Sequence, residues 1–519
     1  MVKKSNKIKI QRSKVISKKR QNSSNKKSTK RIKQVKSKLP DVIQKYPNKN
    51  TKIICTIGPS SWDAKILNKL YENGMDCVRI NTAHEDISFY PPLIKKVKAN
   101  MNVPIMVDIK GPELRIRTPE TVRCNKGQLL EFYGKSKTKL HFNYDMISSL
   151  NEGDTILIAD GKYVFKVVEK YKDKVIARSE QDCDINPNKN MHLPNKVINL
   201  PSLTKKDKEA IKMSIKEKVD YIALSFCRSK KDVLNLRRLL KDSGIKIIAK
   251  IENHEGIANI DEIIDSADGI MVARGDLGVE FAPGKVPIIQ KKIIKKCNAN
   301  GKLVIVATEM LETMIRNSQP TRAEISDIAN AVLDGADCIM LSAETAIGKY
   351  PVKAVEYMSK TAINIEPVVE PANIAIGKED YNMEHMTPSE AISLSVKGLC
   401  NEIDFDKIVC LTYEGHTAQR ISRFRINKPI IALTSTEQLA RQLMLYYGVH
   451  PLHIKENFWD PSTRAILKDL YFRGVVGAKD YVLMTAGLYT LKERNTNTNT
   501  IHIHKMEDLL TYLKRKKQL

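Results

Sequence analysis

Short apolar runs that end in groups of charged residues recur along the chain, and stretches with helical periodicity separate them. The pattern is clearest over residues 246–279, where the apolar runs at 247–249 and 270–273 are each followed by charged residues. Apolar residues at helical spacing lie between the two runs and predict an amphipathic helix. This segment is therefore predicted to form strand, polar group, helix, strand and polar group.

The same alternation continues on both sides of this segment and predicts about eight parallel strands, the number in a (β/α)8 barrel. The predicted strands lie within 51–59, 77–81, 103–112, 221–226, 246–250, 269–273, 303–307 and 338–341. Thr321 and Glu324 have the spacing of a capping box, which predicts the start of a helix that ends near residues 334–335.

Two further regions depart from this pattern. Residues 113–200 contain short β-like runs and turn residues without helical periodicity, which predicts a small all-β insertion. Residues 386–519 contain apolar runs at 407–412, 429–434 and 480–485, which predict a C-terminal open α/β sheet domain. The fold is thus predicted to be α/β, with a barrel domain over 51–112 and 201–370 that is interrupted by the insertion.

Polar side chains gather where the predicted barrel strands end, which is the edge at which such barrels carry their active sites. These residues are Arg79, Asn81, Asp108, Lys110, Ser225, Lys250, Glu252, Arg274, Asp276, Thr308, Ser342 and Glu344. Glu252 and Asp276 follow adjacent strands, and paired carboxylates with waters and a substrate oxygen are typical ligands of Mg²⁺. Lys250 lies two residues before Glu252, so both should point to the same side of the strand. We therefore expect a metal-dependent site for an anionic substrate.

The formal net charge of +28 is concentrated at the amino terminus. The first 40 residues contain 16 Lys and Arg and no Asp or Glu. Such a composition cannot form a packed core, so residues 1–50 are predicted to be a basic disordered tail. It is either a solvated arm, a tether to nucleic acid or an anionic surface, or an organelle-targeting segment.

Several classes of protein are disfavoured by what the sequence lacks. It contains no apolar run near the ~20 residues of a membrane span and no apolar segment typical of a cleaved signal peptide. The 9 cysteines show no spacing typical of a zinc site, which favours reduced thiols and a cytoplasmic location. Neither a Walker A motif nor a Gly-x-Gly-x-x-Gly between strand and helix is present, so a bound nucleotide would not use a standard phosphate loop.

The motifs resemble those of the pyruvate kinase family. The resemblance covers residue 51 to the carboxyl terminus and is carried by residues 51–59, 108–113, 250–256, 268–278, 320–324, 334–345, 421–425 and 436–449. Among them are Lys-Ile-Glu-Asn-His-Glu-Gly at 250–256 and Ala-Arg-Gly-Asp-Leu-Gly at 273–278. The resemblance implies transfer of the phosphoryl group of phosphoenolpyruvate to ADP, the last step of glycolysis, by an Mg²⁺- or Mn²⁺-dependent homotetramer. It also implies that the insertion is a β-barrel lid and that the C-terminal domain is regulatory.

Roles for individual residues follow from the same resemblance. Glu252 and Asp276 would hold Mg²⁺, while Lys250 and Arg79 would neutralise the phosphoryl group during transfer. The backbone amides of Gly275 and Asp276 would bind the substrate carboxylate, and Thr308 would act near the enolate carbon. The residues implied on the nucleotide side are Arg79, His84, Arg115 and Lys206.

Two departures from the family pattern change these expectations. Ala83 replaces a serine that helps to bind K⁺, whereas Glu113 is the residue type of K⁺-dependent members. We therefore expect a weakened K⁺ site formed by Asn81, Asp108 and the carbonyl of Ile109. In the loop 412–417, Glu414 disfavours fructose 1,6-bisphosphate as effector and leaves open a sugar monophosphate or a nucleotide.

Two alternatives to a kinase remain at this point. One is a barrel lyase that uses the same metal pair on an enolate. The other is a paralogue that binds nucleic acid through its basic tail and has lost catalysis. The first does not require the insertion or the C-terminal domain, and the second predicts erosion of the polar residues at the strand ends.

Overall fold

The computed structural model describes residues 49–369, 386–454, 463–486 and 498–516, apart from residues 137, 195, 197 and 199. The predicted tail lies outside the described residues except for its last two. Both of these are buried: Lys49 pairs with the carboxylate of Asp76, and the backbone amide of Asn50 donates to Glu366 at 2.8 Å. The last two residues assigned to the tail are therefore packed against the barrel domain.

The described strands and helices alternate as the sequence predicts. In chain order the strands are β1 (Lys52–Thr56), β2 (Cys77–Asn81), β3 (Ile105–Ile109), β4 (Ile116–Arg117), β5 (Val122–Cys124), β6 (Leu129–Tyr133), β7 (His141–Phe142), β8 (Thr155–Ile158), β9 (Tyr163–Lys170), β10 (Lys174–Ser179), β11 (Cys183–Ile185), β12 (Met191–His192), β13 (Tyr221–Leu224), β14 (Lys246–Ile251), β15 (Gly269–Ala273), β16 (Leu303–Ala307), β17 (Cys338–Leu341), β18 (Lys407–Thr412), β19 (Ile430–Thr434), β20 (Val449–His453), β21 (Tyr481–Ala486) and β22 (Thr500–Lys505). The helices are α1 (Ala64–Glu72), α2 (Tyr90–Asn100), α3 (Lys205–Lys216), α4 (Lys230–Leu240), α5 (His254–Ala258), α6 (Ile260–Ser266), α7 (Arg274–Glu280), α8 (Val286–Ala299), α9 (Arg322–Leu333), α10 (Ala343–Ala346), α11 (Pro351–Ile365), α12 (Pro388–Glu402), α13 (His416–Ser422), α14 (Glu437–Leu443), α15 (Thr463–Phe472) and α16 (Met506–Arg515).

The predicted (β/α)8 barrel is confirmed. Eight strands close in the order β1-β2-β3-β13-β14-β15-β16-β17, and each neighbouring pair is parallel. Their side chains are almost all buried, because the outer helices cover one face and the barrel interior covers the other. The strand predicted at 221–226 ends earlier, at Leu224, since Phe226 adopts a positive φ of 52°. This turn places Ser225 at the mouth of the barrel.

The predicted capping box forms. The Thr321 hydroxyl accepts from the Glu324 amide at 3.2 Å, and Glu324 accepts from the Thr321 amide at 2.7 Å. Glu324 also accepts from the amide and hydroxyl of Thr313 at 2.7 and 2.6 Å. Both residues of the box therefore organise the helix start and the preceding loop.

The insertion between β3 and β13 consists of β strands without an α-helix among its described residues. Seven strands follow the order β12-β8-β9-β10-β6-β7-β4, and β11 pairs with β5 in a separate ribbon. The outer strands β4 and β12 meet only at an isolated antiparallel bridge between Arg115 and Asn190. The insertion is thus a sheet whose two edges touch at a single bridge, around a core of its own that includes Phe132, Phe142 and Phe165.

The C-terminal domain contains an open five-stranded sheet in the order β20-β19-β18-β21-β22, as predicted. Its strands are parallel except β22, which runs antiparallel to β21. One apolar core continues from the barrel interior, with Met106 and Met271, into this domain, with Ile408 and Phe424. The C-terminal domain therefore packs against the amino-terminal end of the barrel, opposite the end that carries the polar residues.

Two findings bear on the environment of the protein. The helices of the described residues include none that is both long and apolar enough to span a membrane. All nine cysteines lie in the described residues as free thiols, and eight of them are buried.

Arg425 is a buried polar link between the barrel and the C-terminal domain. Its guanidinium is 1% exposed and pairs with Asp337 at 2.9 Å, just before β17. It also donates to the carbonyl of Gly335 at 2.7 Å and to the Asn298 side chain at 2.7 Å. Because a buried arginine and a buried carboxylate satisfy each other here, removing either would leave an unpaired charge inside the protein.

Replacing Arg425 by leucine should destabilise the protein by about 3–5 kcal/mol, since Asp337 would stay buried and lose its cationic partner. Calorimetric unfolding should show a midpoint several degrees below that of the parent protein. Arg123→Leu is the matched control. Arg123 is 89% exposed, and its ion pair with Asp184, at 3.6 Å, lies in solvent. Equal midpoints for the two variants would contradict this role of Arg425.

Candidate active site

Lys250 lies at the centre of the polar residues at the carboxyl end of the barrel. Its ammonium is 2.8 Å from Glu252, 3.5 Å from Asp108 and 2.8 Å from the Ser225 hydroxyl. Burial alone would lower the pKa of Lys250, but Asp108 and Glu252 outweigh it and raise the pKa above its usual value. Lys250 is therefore held as a buried cation between carboxylates that come from two different strands.

Asp108 joins Lys250 to Arg79. The Arg79 guanidinium donates to the Asp108 carboxylate at 2.8 Å and to the Thr56 hydroxyl at 2.7 Å. Burial would raise the pKa of Asp108, but Lys250 and Arg79 hold it below its usual value. Nη2 of Arg79 also lies 2.8 Å from Asp108, so these contacts use three of its five N–H groups and two remain for a substrate. The site thus places two cations beside one carboxylate, whose ionised form they favour.

Glu252 and Asp276 form the predicted carboxylate pair. Glu252 is 1% exposed and accepts from the Phe226 amide at 2.5 Å. Burial and the neighbouring Glu252 raise the pKa of Asp276 to about 7, against the opposing effect of Lys250. Two carboxylates this close together are suited to bind a divalent cation, because the cation would relieve their repulsion.

The two carboxylates supply some of the oxygen ligands that Mg²⁺ requires. Within the described ranges, no group of three or more His, Cys, Asp and Glu side chains is arranged to hold a metal ion. Two carboxylates leave most positions of an octahedral ion to waters and substrate oxygens, which is how Mg²⁺ is usually bound. The residues present thus suit an ion that binds together with an anionic substrate.

Thr308 and Gly275 are in direct contact. The Gly275 amide donates to the Thr308 hydroxyl at 2.8 Å, and that hydroxyl donates to the Ala307 carbonyl at 2.6 Å. Thr308 and Glu309 both have positive φ, 70° and 55°. This conformation is unfavourable for side chains with a Cβ and persists only where the surroundings enforce it. A bound carboxylate at the Gly275 amide would replace the contact with Thr308.

Arg274 holds this strained segment and was assigned no role from sequence. It donates to the Thr308 carbonyl at 2.6 Å and pairs with Asp327 of α9 at 2.7 Å. The contact joins residues 34 positions apart, which the parallel pairing of β15 with β16 brings together. An arginine beside a predicted strand end was the one feature of the sequence that could have pointed to it.

The residues implied on the nucleotide side lie at two places. His84 is exposed, and the neighbouring Ala83 carbonyl accepts from the Lys206 ammonium at 3.3 Å. Arg115 lies at the entry to the insertion, where it donates to Glu113 at 2.6 Å and to the Asn188 carbonyl at 2.5 Å. The fold thus brings Lys206 to the segment of His84, while Arg115 is bound within the insertion.

The residues of the expected K⁺ site are already engaged with other groups. The Asn81 side-chain oxygen accepts from the Ala83 amide at 3.0 Å. Asp108 has the partners described above, and Ile109 is a buried residue at the end of β3. Glu113 lies between Arg115 and Lys110, at 2.6 and 3.3 Å, and is therefore neutralised by cations of the chain.

Glu344 orders the neighbouring strand ends. It is fully buried and accepts from the amides of Leu311 and Ser342 at 3.1 and 2.7 Å.

A cleft separates the insertion from the barrel beside the carboxylate pair. It encloses a cavity of about 80 Å³ whose walls include Glu252, Asp276, His192 and Glu280. His192 of the insertion lies 3.5 Å from Glu280 of the barrel, and both side chains are nearly buried. Burial would lower the pKa of His192, but Glu280 outweighs it and raises the pKa above its usual value. This pair links the insertion to the barrel across the cleft.

Comparisons with known proteins agree with this architecture. Residues 48–355 match the family model "Pyruvate kinase, barrel domain", and residues 390–504 match "Pyruvate kinase, alpha/beta domain". The pyruvate kinase of Bacillus licheniformis is 39% identical over 482 residues, which cover 89% of this chain and 81% of that protein. The pyruvate kinase of Clostridium acetobutylicum is 39% identical over 472 residues, which cover 87% of this chain and 99% of that protein.

A solved structure gives the same result. A crystal structure of a pyruvate kinase from Cryptosporidium parvum superposes with a TM-score of 0.83 at 33% sequence identity. The superposition covers 91% of this chain and 99% of that one.

We predict that the stability of the contact between His192 and Glu280 depends on pH. Because its folded pKa is raised, protonated His192 should stabilise the contact fully below pH 6.5, and this contribution should be lost as the pH rises through the raised value. A nuclear magnetic resonance titration should show the pKa of His192 above 6.5 in the parent protein. In Glu280→Gln the pKa should be lower than in the parent, since burial would then be opposed only by the more weakly acting Asp276 and Asp160. The same pKa in both proteins would show that Glu280 does not hold His192.

Proposed function

The chain belongs to the pyruvate kinase family. We propose that the residues described above transfer the phosphoryl group of phosphoenolpyruvate to ADP, which gives pyruvate and ATP. The observation that carries the proposal is the buried Lys250 ammonium between Asp108 and Glu252, beside Asp276. Phosphoryl transfer needs positioning and neutralisation of charge rather than covalent help from the protein. A preorganised cation among carboxylates that can bind a metal ion meets that need.

Lys250 and Arg79 would bind the phosphoryl group. Both are fixed by Asp108, so neither cation has to be ordered when the substrate arrives. Preorganised charges of this kind stabilise a transition state more than mobile ones, because no reorganisation accompanies the reaction. The free N–H groups of Arg79 and the ammonium of Lys250 would face the transferring oxygens and the enolate that leaves.

The substrate carboxylate would bind to the backbone amides of Gly275 and Asp276 at the start of α7. The Gly275 amide donates to the Thr308 hydroxyl, so a carboxylate that took over this amide would lie beside that hydroxyl. Thr308 would then lie next to the enolate carbon, where, together with water, it would take part in protonation. Arg274 would act as a positioning residue, since it holds the Thr308 backbone in its strained conformation.

The family depends on a metal ion, and we propose that Glu252 and Asp276 hold Mg²⁺ or Mn²⁺ in this chain. Such an ion supplies a Lewis acid that polarises phosphoryl and carboxylate oxygens. The protein contributes two carboxylates on adjacent strands, with Glu252 fixed by the Phe226 amide. Because the pKa of Asp276 is raised, binding of the ion would displace a proton near neutral pH.

The nucleotide would bind between the barrel mouth and the insertion. Arg79, His84, Lys206 and Arg115 would contact its phosphates, with Arg115 contributed from the base of the insertion. The insertion would serve as a lid that excludes water, which would otherwise hydrolyse the phosphoryl donor. The contact between His192 and Glu280 supports such a role, because it closes one side of the cleft.

The remaining assignments rest on the resemblance. A homotetramer, a regulatory C-terminal domain with a phosphorylated effector other than fructose 1,6-bisphosphate, and a cytoplasmic location are proposed on that basis. Tethering to nucleic acid or an anionic surface, or organelle targeting, by residues 1–50 stays a prediction, since residues 1–48 lie outside the described part of the chain. The lyase alternative does not account for the insertion or the C-terminal domain. A nucleic-acid-binding paralogue without catalysis does not account for the complete set of polar residues at the strand ends.

Replacing Lys250 by methionine should lower the turnover of phosphoenolpyruvate and ADP by roughly 10³-fold or more, because the developing enolate would lose its nearest cation. Pyruvate formation by the purified protein with Mg²⁺ measures this, and removal of Mg²⁺ by a chelator should abolish activity in the parent. Lys479→Met, at an exposed position of the C-terminal domain, is the control. Unchanged turnover in Lys250→Met would remove Lys250 from the mechanism, and an inactive but folded parent protein would refute the proposed function.

The K⁺ site can be tested by restoring the missing oxygen. The parent protein should show similar turnover with and without K⁺, because the potential ligands Asn81 and Asp108 are engaged and Ala83 has no side-chain oxygen. Ala83→Ser should make activity depend more strongly on K⁺, whereas Ala478→Ser, at an exposed site in the C-terminal domain, should not. Full K⁺ dependence of the parent would show that Glu113, not Ala83, determines the behaviour of this site.

A further inference from the structure

One arginine of the barrel binds the chain where it returns from the insertion. After β12 the chain comes back to α3, and we call residues 198–204, which directly precede this helix, the return segment. Arg228 donates to two carbonyls of the return segment, to that of Ile198 at 3.0 Å and to that of Leu200 at 2.9 Å. The two bonds come from different nitrogens, so the planar guanidinium bridges the two carbonyls. Arg228 thus ties the backbone of the return segment to the barrel.

Arg228 is itself held firmly by the barrel. Its Nε lies 3.3 Å from the carboxylate of Asp232, in the first turn of α4, and that carboxylate also accepts from the Arg228 amide at 3.1 Å. The Arg228 carbonyl accepts from the Asn259 side chain at 2.9 Å. The side chain of Arg228 is 14% exposed, and that of Asp232 is buried. Arg228 is therefore a fixed anchor, unlike a mobile arginine on the surface.

The loop that carries Arg228 also carries parts of the candidate active site. This loop follows β13 and begins with Ser225, whose hydroxyl accepts from the Lys250 ammonium at 2.8 Å. The next residue is Phe226, whose amide donates to Glu252 at 2.5 Å. One short loop therefore joins the buried lysine, a proposed metal ligand and the return segment.

The chain is anchored at the same place where it leaves the barrel for the insertion. Gly111 follows β3 with a φ of 71°, and its amide donates to Asp207 at 3.2 Å. A Cβ at this position would lie 3.0 Å from the Ser225 carbonyl oxygen, so the close approach and the positive φ both require glycine. Asp207 belongs to the capping box at the start of α3, directly after the return segment. Both connections to the insertion are thus fixed on their barrel side.

Arg228 also lies in the wall between the active-site cleft and the outside of the barrel. The cavity in the cleft and a larger outer cavity of about 860 Å³ share four lining residues, which are Ile198, Leu200, Arg228 and Glu255. The outer cavity is lined in addition by exposed residues such as Lys208. The contacts of Arg228 with the return segment therefore close part of the boundary between the cleft and solvent.

We propose that Arg228 is a positioning residue that keeps the return segment on the barrel and the cleft sealed, so that the phosphoryl group passes to ADP and not to water. This role rests on the proposed phosphoryl transfer and adds to it a device that excludes water. Arg228 contacts neither the proposed metal ligands nor Lys250 in the described part of the chain, so it acts through the backbone that it holds.

The reaction that Arg228 would suppress is hydrolysis of phosphoenolpyruvate. Water would attack phosphorus, and the bond between phosphorus and the enolate oxygen would break with its electron pair left on the enolate. The proton lost by the water balances the one that the enolate carbon takes up, so the products are pyruvate and inorganic phosphate without ATP. A sealed cleft prevents this loss because water cannot reach the bound donor.

Measurement of inorganic phosphate and ATP from the same reaction mixture tests the proposal. The full-length protein is supplied with phosphoenolpyruvate, ADP and Mg²⁺. Arg228→Gln should raise the ratio of inorganic phosphate to ATP about tenfold, the effect expected from loss of one charge-assisted hydrogen bond. Arg228→Lys should raise it as well, because a single ammonium cannot bridge both carbonyls. The ratio is independent of the fraction of protein that is folded, since both products come from active molecules.

Arg237→Gln is the matched control. Arg237 lies in α4 and also binds one carbonyl and one carboxylate, those of Ser266 and Asp268, both at 2.9 Å. It lines neither the cavity in the cleft nor the outer cavity. This variant should form inorganic phosphate and ATP in the same ratio as the parent.

Two results of the product measurement would overturn the proposal. An unchanged ratio in Arg228→Gln would show that Arg228 does not seal the cleft. The parent's ratio in Arg228→Lys would show that a positive charge suffices and that bridging of the two carbonyls is not needed.

Hydrogen exchange separates failure of this proposal from failure of the proposed function. The Leu200 amide donates to the Ile198 carbonyl at 2.9 Å, so its exchange reports whether the return segment stays ordered. In Arg228→Gln this amide should exchange about tenfold faster than in the parent, whether or not the protein turns over substrate. Equal exchange in both proteins would overturn the role of Arg228, whereas an inactive parent with faster exchange in the variant would refute only the proposed function.

Discussion

Confinement of a lysine charge among carboxylates is the constraint on which the rest of the site depends. Lys250 is buried at the end of β14, and its charge is retained because Asp108 and Glu252 lie within 3.5 Å. Asp108 in turn fixes Arg79, and Glu252 adjoins Asp276, so each charged group is held by another from a different strand. Only a closed barrel brings β2, β3, β14 and β15 to one edge with these side chains inward. The hydrophobic strands therefore supply the positions, and the charges supply the chemistry.

The two ends of the barrel have different roles. At the carboxyl ends of the strands, the polar residues face a cleft closed by the insertion. At the amino ends, an apolar core continues into the C-terminal domain, and Arg425 crosses the boundary as a buried cation. Because β14 and β15 run from one end to the other, Lys246 and Lys250 belong to the same five-residue stretch of strand. Strand β14 thus reaches from the end of the barrel that packs against the C-terminal domain to Lys250 in the candidate site.

Much of this architecture was predictable because the responsible signals are local. Apolar runs such as 269–273, 303–307 and 338–341 gave strand bounds identical to those of the structure, since both faces of these strands are buried. The polar residues after each run could be assigned to one edge, because parallel strands share their direction. Three features could not be predicted, because each depends on residues far apart in the sequence. They are the strained backbone at Thr308, its support by Arg274, and the pair of His192 with Glu280. The contacts of Arg425 with the barrel depend on how two domains pack, which no single segment records.

Glu252 and Asp276 are proposed to hold together the metal ion on which phosphoryl transfer depends. Anomalous diffraction from crystals that contain Mn²⁺ and a non-reactive analogue of phosphoenolpyruvate would test it most directly. We expect one peak at coordination distance, about 2.1 Å, from an oxygen of each carboxylate, with the analogue completing the coordination. A peak that lies beside neither carboxylate, or beside only one of them, would contradict the account.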